Sequence, residues 1–171
     1  MSLRTRPAQP ADAAAIARIY NEGIEDRLAT FETRPRTEDD VCTWFAEGFP
    51  LVVVEEERAV IAWASAPPYS RERDVYREVA EFSVYVARAG RRRGAGRAAM
   101  EALLAEVEAR GFWKLVGRIF PENEASLTLC GRLGFREVGV HRRHGKLDGT
   151  WRDVVVVERL LGEAAEEETP S

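Results

Sequence analysis

Between residues 91 and 96 the chain reads Arg91-Arg92-Arg93-Gly94-Ala95-Gly96, with Arg88 and Arg97 close on either side. Glycines let a backbone approach a ligand closely, a helix start presents unpaired N–H groups, and guanidinium groups neutralise anionic oxygens. Such a segment suits a diphosphate. Taken alone, it fits equally well a solvated, positively charged turn that opens a helix. It matches neither the GxGxxG of dinucleotide folds nor the GK[ST] ending of a P-loop, so the two common nucleotide-binding readings fail. Upstream stands Glu81, a carboxylate on a segment otherwise fit for burial. By itself it reads as a polar residue at the solvated start of a strand.

The elements that must hold these residues follow from periodicity. From Val79 to Ala87 the alternation predicts a strand, with Phe82, Val84 and Val86 on one face and Glu81, Ser83 and Tyr85 on the other. Arg97 to Arg110 places Met100, Leu103, Leu104 and Val107 on one helical stripe and ends at Gly111. Phe112 to Phe120 reads as the next strand, so strand, glycine turn, helix and strand make a βαβ unit. Asn123 is placed to cap a short helix through Leu133, and two strands joined near Asp148-Gly149 follow. Before the unit, Asp12 precedes a helix carrying Ile16, Ile19 and Tyr20, with Gly23 near its end. Thr37 precedes a second helix with Val41, Trp44 and Phe45, stopped by Gly48 and Pro50. Leu51–Glu55 and Val60–Ala66 predict a hairpin, and residues 67–78 a loop. The expected fold class is α/β, a mixed, mostly antiparallel twisted sheet with helices on both faces, in one domain spanning 1–162. The glutamate-rich end, 163–171, has little to bury and is expected to be a mobile tail.

Composition sets the outer bounds. The chain has 171 residues, 45% hydrophobic and 32% charged, the make-up of one ordinary globular domain. Uninterrupted apolar runs such as Leu51–Val54 and Val154–Val157 fall far short of the roughly 20 residues a membrane helix needs. Arg4, Arg6 and Asp12 leave no apolar stretch for a usual secretory signal, and the cytoplasm is the expected compartment. Cys42 and Cys130 belong to no CxxC pair, so neither a zinc site nor a disulfide framework is expected. A net charge of -4 gives no reason to expect nucleic acid, and no membrane partner is expected either.

At this point the sequence resembles the GNAT superfamily of acyl-CoA N-acyltransferases, whose [QR]xxGx[GA] signature is matched by Arg91, Gly94 and Gly96. Within it the likeness is to the phosphinothricin acetyltransferases, including those for methionine sulfoximine and arsinothricin. It is carried by Ile19-Tyr20-Asn21, Thr30-Phe31-Glu32-Thr33, Glu81 with Ser83-Val84-Tyr85-Val86, the glycine motif, Asn123-Glu124-Ala125-Ser126 before Leu133-Gly134-Phe135, and Gly149-Thr150-Trp151-Arg152-Asp153. Several separate stretches in the right order, over nearly the whole folded chain, are more specific than one short motif.

The resemblance implies acetyl-CoA as co-substrate and no metal. It implies that the segment Arg91, Arg92, Arg93, Gly94, Ala95, Gly96 and Arg97 holds the coenzyme A diphosphate, that Val84, Tyr85 and Val86 pair with the pantetheine arm, and that Asn123 and Ser126 touch the coenzyme while capping their helix. Glu81 matches the glutamate to which the family assigns deprotonation of the amine, directly or through water, and a backbone N–H near Val84–Val86 would face the thioester oxygen. For the acceptor it raises Arg71, Arg73 and Tyr76, with Phe31 as an apolar wall; a guanidinium fork suits a carboxylate or phosphinate. Relatives place Tyr or His where this chain has Cys130, which reads more simply as a small buried hydrophobe. They also pair as homodimers, for which Trp151 and Val154–Val157 offer contact area, although burial within one subunit explains the same residues. His141 and His144, three apart on a strand, are expected on opposite faces and not on one metal.

Overall fold

The computed structural model describes residues 2–166. Its elements run β1 (Arg4–Pro7), α1 (Ala13–Asp26), α2 (Glu38–Glu47), β2 (Leu51–Glu56), β3 (Ala59–Ser65), β4 (Val79–Glu81), β5 (Ser83–Val86), α3 (Ala95–Ala109), β6 (Lys114–Ile119), α4 (Glu124–Arg132), β7 (Arg136–Leu147), β8 (Thr150–Leu160) and α5 (Glu163–Glu166). The first residues of the expected tail thus form one helical turn, and 167–171 lie outside the described residues.

Helix α2 begins as its sequence predicts. The Thr37 hydroxyl accepts from the Asp40 amide at 3.1 Å while the Asp40 carboxylate accepts from the Thr37 amide at 2.8 Å, and Gly48 closes the other end. Helix α1 departs from expectation at its start. Asp12 does not cap it: the carboxylate accepts from Arg6 at 2.7 and 2.9 Å and from the Gln9 amide at 2.8 Å. At the other end Gly23 lies near the helix terminus, as expected. The helix continues to Asp26 and ends at Arg27, whose φ is 57°.

The strands form two four-stranded sheets. One is antiparallel, in the order β1-β2-β3-β5; the other has the order β4-β6-β8-β7, with β4 and β6 parallel and the rest antiparallel. The single strand expected over 79–87 is therefore broken at Phe82, and its halves belong to different sheets. The Phe82 amide donates to Val116 O at 2.9 Å, and its ring lies where a Cβ on Gly117 would come within 2.3 Å. Three residues on, Tyr85 stacks on Trp63 at 4.9 Å in the opposite core. One segment is thus pulled to both sides.

Those two cores explain the alternation in the strands. Val52 and Val54 of β2 point to a cluster with Met100, Leu103 and Val107 of α3, while Leu51 and Val53 point to one with Ile16 and Ile19 of α1 and Val41 of α2. Helices therefore cover both faces. Val154, Val155 and Val157 are buried within the subunit, whereas Trp151 is 52% exposed. In β7 the register shifts between His141 and Gly145, so that His141 opposes Val154 and Gly145 opposes Arg152. The extra residues loop out, Arg143 adopts φ 48°, and its amide donates to Asp153 at 2.7 Å. Strict alternation fails here: the His141 and His144 rings stack at 4.5 Å instead of facing opposite ways. Among the described residues no group of three or more His, Cys, Asp and Glu is placed to hold a metal, and no helix is long and apolar enough to cross a membrane.

Candidate active site

Divergence of β4 from β5 leaves one edge of β5 without a strand partner. The Ala87 amide donates to Ile61 O at 2.8 Å, and Tyr85 lies opposite Trp63 in the same register. Because antiparallel neighbours alternate in direction, Ser83 and Tyr85 face β3 while the amides and carbonyls of Val84 and Val86 face the open edge. Arg91 confirms the direction, since its Nε donates to Val86 O at 3.3 Å.

A cavity of about 470 Å³ runs beside this edge. Val84, Tyr85, Val86, Arg91, Arg92, Gly94, Ala95, Gly96, Asn123 and Ser126 line it, ten of the positions singled out in the sequence. Helix α3 opens without a side-chain cap on Gly94, whose φ of 82° glycine adopts without strain. The first intrahelical donor is Ala98, to Gly94 O at 3.0 Å, so the amides of Ala95, Gly96 and Arg97 have no partner in the helix. Bare amides, the positive end of the helix and two guanidinium groups fit a diphosphate. Asn123 caps α4 by accepting from the Ser126 amide at 3.3 Å, and both residues also line the cavity, so the capping role does not take them out of it.

Arg93 and Arg97 are turned elsewhere: Arg93 pairs with Glu56 at 2.8 Å and Arg97 with Glu101 at 2.8 Å. The sequence reading also missed the end of α1, which supplies Asp26, Leu28 and Ala29 to the cavity wall. Asp26 binds Arg91 at 2.6 Å and Arg88 at 2.8 Å. Burial raises its carboxyl, but the hydrogen bonds from Arg88 and Arg91 outweigh that and hold it below the usual carboxylate range.

A smaller cavity adjoins the first and shares Ala29, Val84, Tyr85, Asn123 and Ser126 with it; Phe82, Ser83 and Arg118 complete its inner end. Glu81 lines neither cavity itself. It stands behind Arg118, with its carboxylate 3.6 Å from the Arg118 Nε. Arg118, an isolated charge in the strand Leu115-Val116-Gly117-Arg118-Ile119, carries the same sequence signal as Glu81. Cys130 is buried in the core with Met100 and Phe135, and burial pushes its thiol up to about 11.

The residues singled out for the acceptor are not brought together at the cavities. Arg71 pairs with Glu47 at the end of α2 at 2.5 Å, and Arg73 lies over the Tyr76 ring at 5.4 Å; neither they nor Tyr76 line the cavities. Phe31 packs edge-on against Phe120 at 4.8 Å and fills the space over Gly145, where a Cβ would come within 2.9 Å of its ring. It fixes the loop that carries Leu28 and Ala29. That loop is held from the other side by Arg27 to Asp148 at 2.8 Å and by Arg152 donating to Arg27 O at 3.3 Å.

Comparison with known proteins agrees with this geometry. Residues 2–136 match the family model described as an acetyltransferase (GNAT) domain. The phosphinothricin N-acetyltransferase of Streptomyces viridochromogenes is 35% identical over 87% of this chain and 82% of its own. The L-methionine sulfoximine/L-methionine sulfone acetyltransferase of Salmonella typhimurium is 32% identical over 94% of this chain and 95% of its own. A crystal structure of a phosphinothricin acetyltransferase from Sinorhizobium meliloti, in complex with AcCoA, superimposes with a TM-score of 0.90 at 32% identity, covering 100% of this chain and 95% of that one. With the glycine turn, the open strand edge and the divided sheet in place, the chain belongs to the GNAT family of acetyltransferases.

Proposed function

We propose that the protein transfers the acetyl group of acetyl-CoA to the free amine of a small amino-acid analogue of the phosphinothricin, methionine sulfoximine or arsinothricin type, by direct attack on the thioester. The observation that carries this reading is the cleft itself, which runs from the bare amides of α3 along the open edge of β5 to Arg118, with Glu81 behind it. Bound there, acetyl-CoA supplies an activated acetyl group. Gly94, Ala95 and Gly96 with Arg91 and Arg92 bind its anionic end, and the outward amides of Val84 and Val86 donate to the carbonyl oxygen as it gains charge.

An amine attacks a carbonyl carbon only as the free base. Its proton passes to Glu81, directly or through water, as the N–C bond forms, the C–S bond breaks and the electron pair leaves on sulfur, which takes up a proton from water. Free coenzyme A thiol and the acetamide are the products. The protein on this reading is a cytoplasmic homodimer whose activity confers resistance to such analogues. The half-exposed Val138, Val140 and Trp151 on β7 and β8 offer apolar area for the second copy.

Thiol release from acetyl-CoA, measured with phosphinothricin, methionine sulfoximine, methionine sulfone, arsinothricin and ordinary amino acids, tests the substrate class through kcat/KM. Preference for a polyamine, an antibiotic amine or a peptide N-terminus would reassign the acceptor. Binding of acetyl-CoA without thiol release for any amine would make the protein an acyl-CoA-binding module. Glu81→Gln is expected to keep acetyl-CoA affinity and to lower kcat by roughly 10²-fold or more. A pH profile unchanged from the parent would remove Glu81 from the reaction.

A further inference from the structure

Beyond Lys114 at its start, which pairs with Glu158, strand β6 carries one charge among apolar residues, Arg118, and its neighbours fix where that charge points. Leu115 and Ile119 are buried in the cluster beneath α3, so alternation sends Val116 and Arg118 to the other face. In the parallel ladder Glu81 lies opposite Val116, which puts Arg118 one pleat further along the face that Glu81 shares. The same alternation carried past the strand end puts Phe120 on this side, with Phe31 packed against it. A carboxylate, a guanidinium and an aromatic wall thus follow one another along one side of the sheet.

The ion pair between the first two is a loose one. Glu81 and Arg118 are 3.6 Å apart, beyond the ~2.7–2.9 Å of a charge-assisted hydrogen bond, and their side chains are 31% and 47% exposed. Among the described residues Arg118 has no other carboxylate partner. Other arginines around the site are engaged more tightly: Arg88 and Arg91 by Asp26, Arg93 by Glu56 and Arg71 by Glu47. An exposed pair of this kind adds little to stability. A guanidinium at the end of a cleft with a carboxylate behind it is, however, complementary to a zwitterion.

We propose that Arg118 binds the α-carboxylate of the acceptor and, with Glu81 beside it, selects amines that carry an anionic group one carbon away. An α-amino acid laid across the pair meets Glu81 with its ammonium group and Arg118 with its carboxylate. The 3.6 Å pair is longer than the ~2.7–2.9 Å of the charge-assisted hydrogen bonds that would replace it, and the nitrogen is left beside the group that takes its proton. Arg118 is then a specificity-determining residue, and the assignment rests on the amino-acid-like acceptor proposed above.

The test compares methionine sulfone with its primary amide. The two differ in the α-carboxylate alone, and the sulfone has no second anionic group such as the phosphinate of phosphinothricin. Wild-type protein is assayed first: if no α-amino acid in the panel releases thiol, the acceptor class itself is wrong. Given turnover of the acid, Arg118→Ala is expected to lower its kcat/KM by roughly tenfold or more, mainly through KM, and to change that of the amide by less than about threefold. Arg118→Lys keeps the charge and restores part of the preference, while the KM for acetyl-CoA stays the same. Equal losses on acid and amide would mean that Arg118 acts only on Glu81 or on the fold, and would overturn the assignment while leaving the acceptor class intact. Should Arg118→Ala fail to fold, Arg118→Gln makes the same comparison with most of the side-chain length kept.

Discussion

At Cys130 and Asp12 a side chain's neighbours decide what its chemistry is worth. A thiol can donate a proton, but Cys130 lies in the core with Met100 and Phe135, and a group pushed up to about 11 is a poor donor at neutral pH. Cys130→Ala is therefore expected to leave kcat within about threefold of the parent and to cost about 1 kcal/mol of stability, read from urea unfolding. A large fall in kcat at unchanged stability would reinstate the thiol as the acid. Asp12 looks like a helix cap in the sequence, yet its carboxylate serves Arg6, which bonds Glu55 as well. The Arg6 hydrogen bond, more than any other influence, holds the Asp12 carboxyl below its ordinary 3.8. A depressed carboxyl stabilises the fold fully above its unfolded value, and that contribution disappears as pH falls through the folded one. Asp12→Asn should thus cost about 1–3 kcal/mol at pH 7 and flatten the acid limb of the stability curve below about pH 4. Glu81 was legible as an acidic residue on a buried strand; Arg118 gave the same signal one strand later. Its pairing with Glu81 was hidden because it depends on which strand neighbours which, and periodicity carries no such information.

Among the elements, those whose signals are local emerged from the sequence and those set by distant partners did not. Helices α2 and α3 declare themselves through capping residues and apolar stripes, and both lie within a few residues of where the pattern puts them. The break between β4 and β5 has no local mark, because Val79 to Ala87 alternates without interruption while its two halves find partners far apart in the chain. Likewise Gly23, which marks the approach of the end of α1, has a packing role that no local pattern shows, because Tyr85 occupies the space a side chain would need. A Cβ there would come within 2.6 Å of that ring. Gly23→Ala must displace Tyr85 from its stack on Trp63, at an expected cost of about 1–3 kcal/mol in thermal or urea unfolding. Since Gly23 and Tyr85 both line the large cavity, acetyl-CoA affinity by calorimetry should fall as well. Unchanged stability would show that α1 can shift outward without penalty.

For the whole molecule, the sequence foretold a mixed α/β fold with helices on both faces, because element order and burial patterns survive without knowledge of the pairings. Quaternary structure is the least legible level. The apolar run Val154–Val157 looked suited to an interface and is largely interior, whereas Val138 and Val140, on a strand that ends its sheet, are nearly half exposed. If β7 and β8 receive a second copy, light scattering should give a mass near twice 19.2 kDa, and Val140→Glu should shift the population toward the single chain. A monomer at micromolar concentration would leave those valines without a partner copy. The carboxylate of Asp26 has a different reach. It already sits between Arg88 and Arg91 at the last residue of α1, so these guanidinium groups enter any encounter oriented and locally neutralised. A chloride or acetate ion offers them no more than Asp26 does. Only a ligand with several charged oxygens, able to reach the bare amides of α3 as well, gains by taking its place, so the mouth of the cleft discriminates by valence before it discriminates by shape.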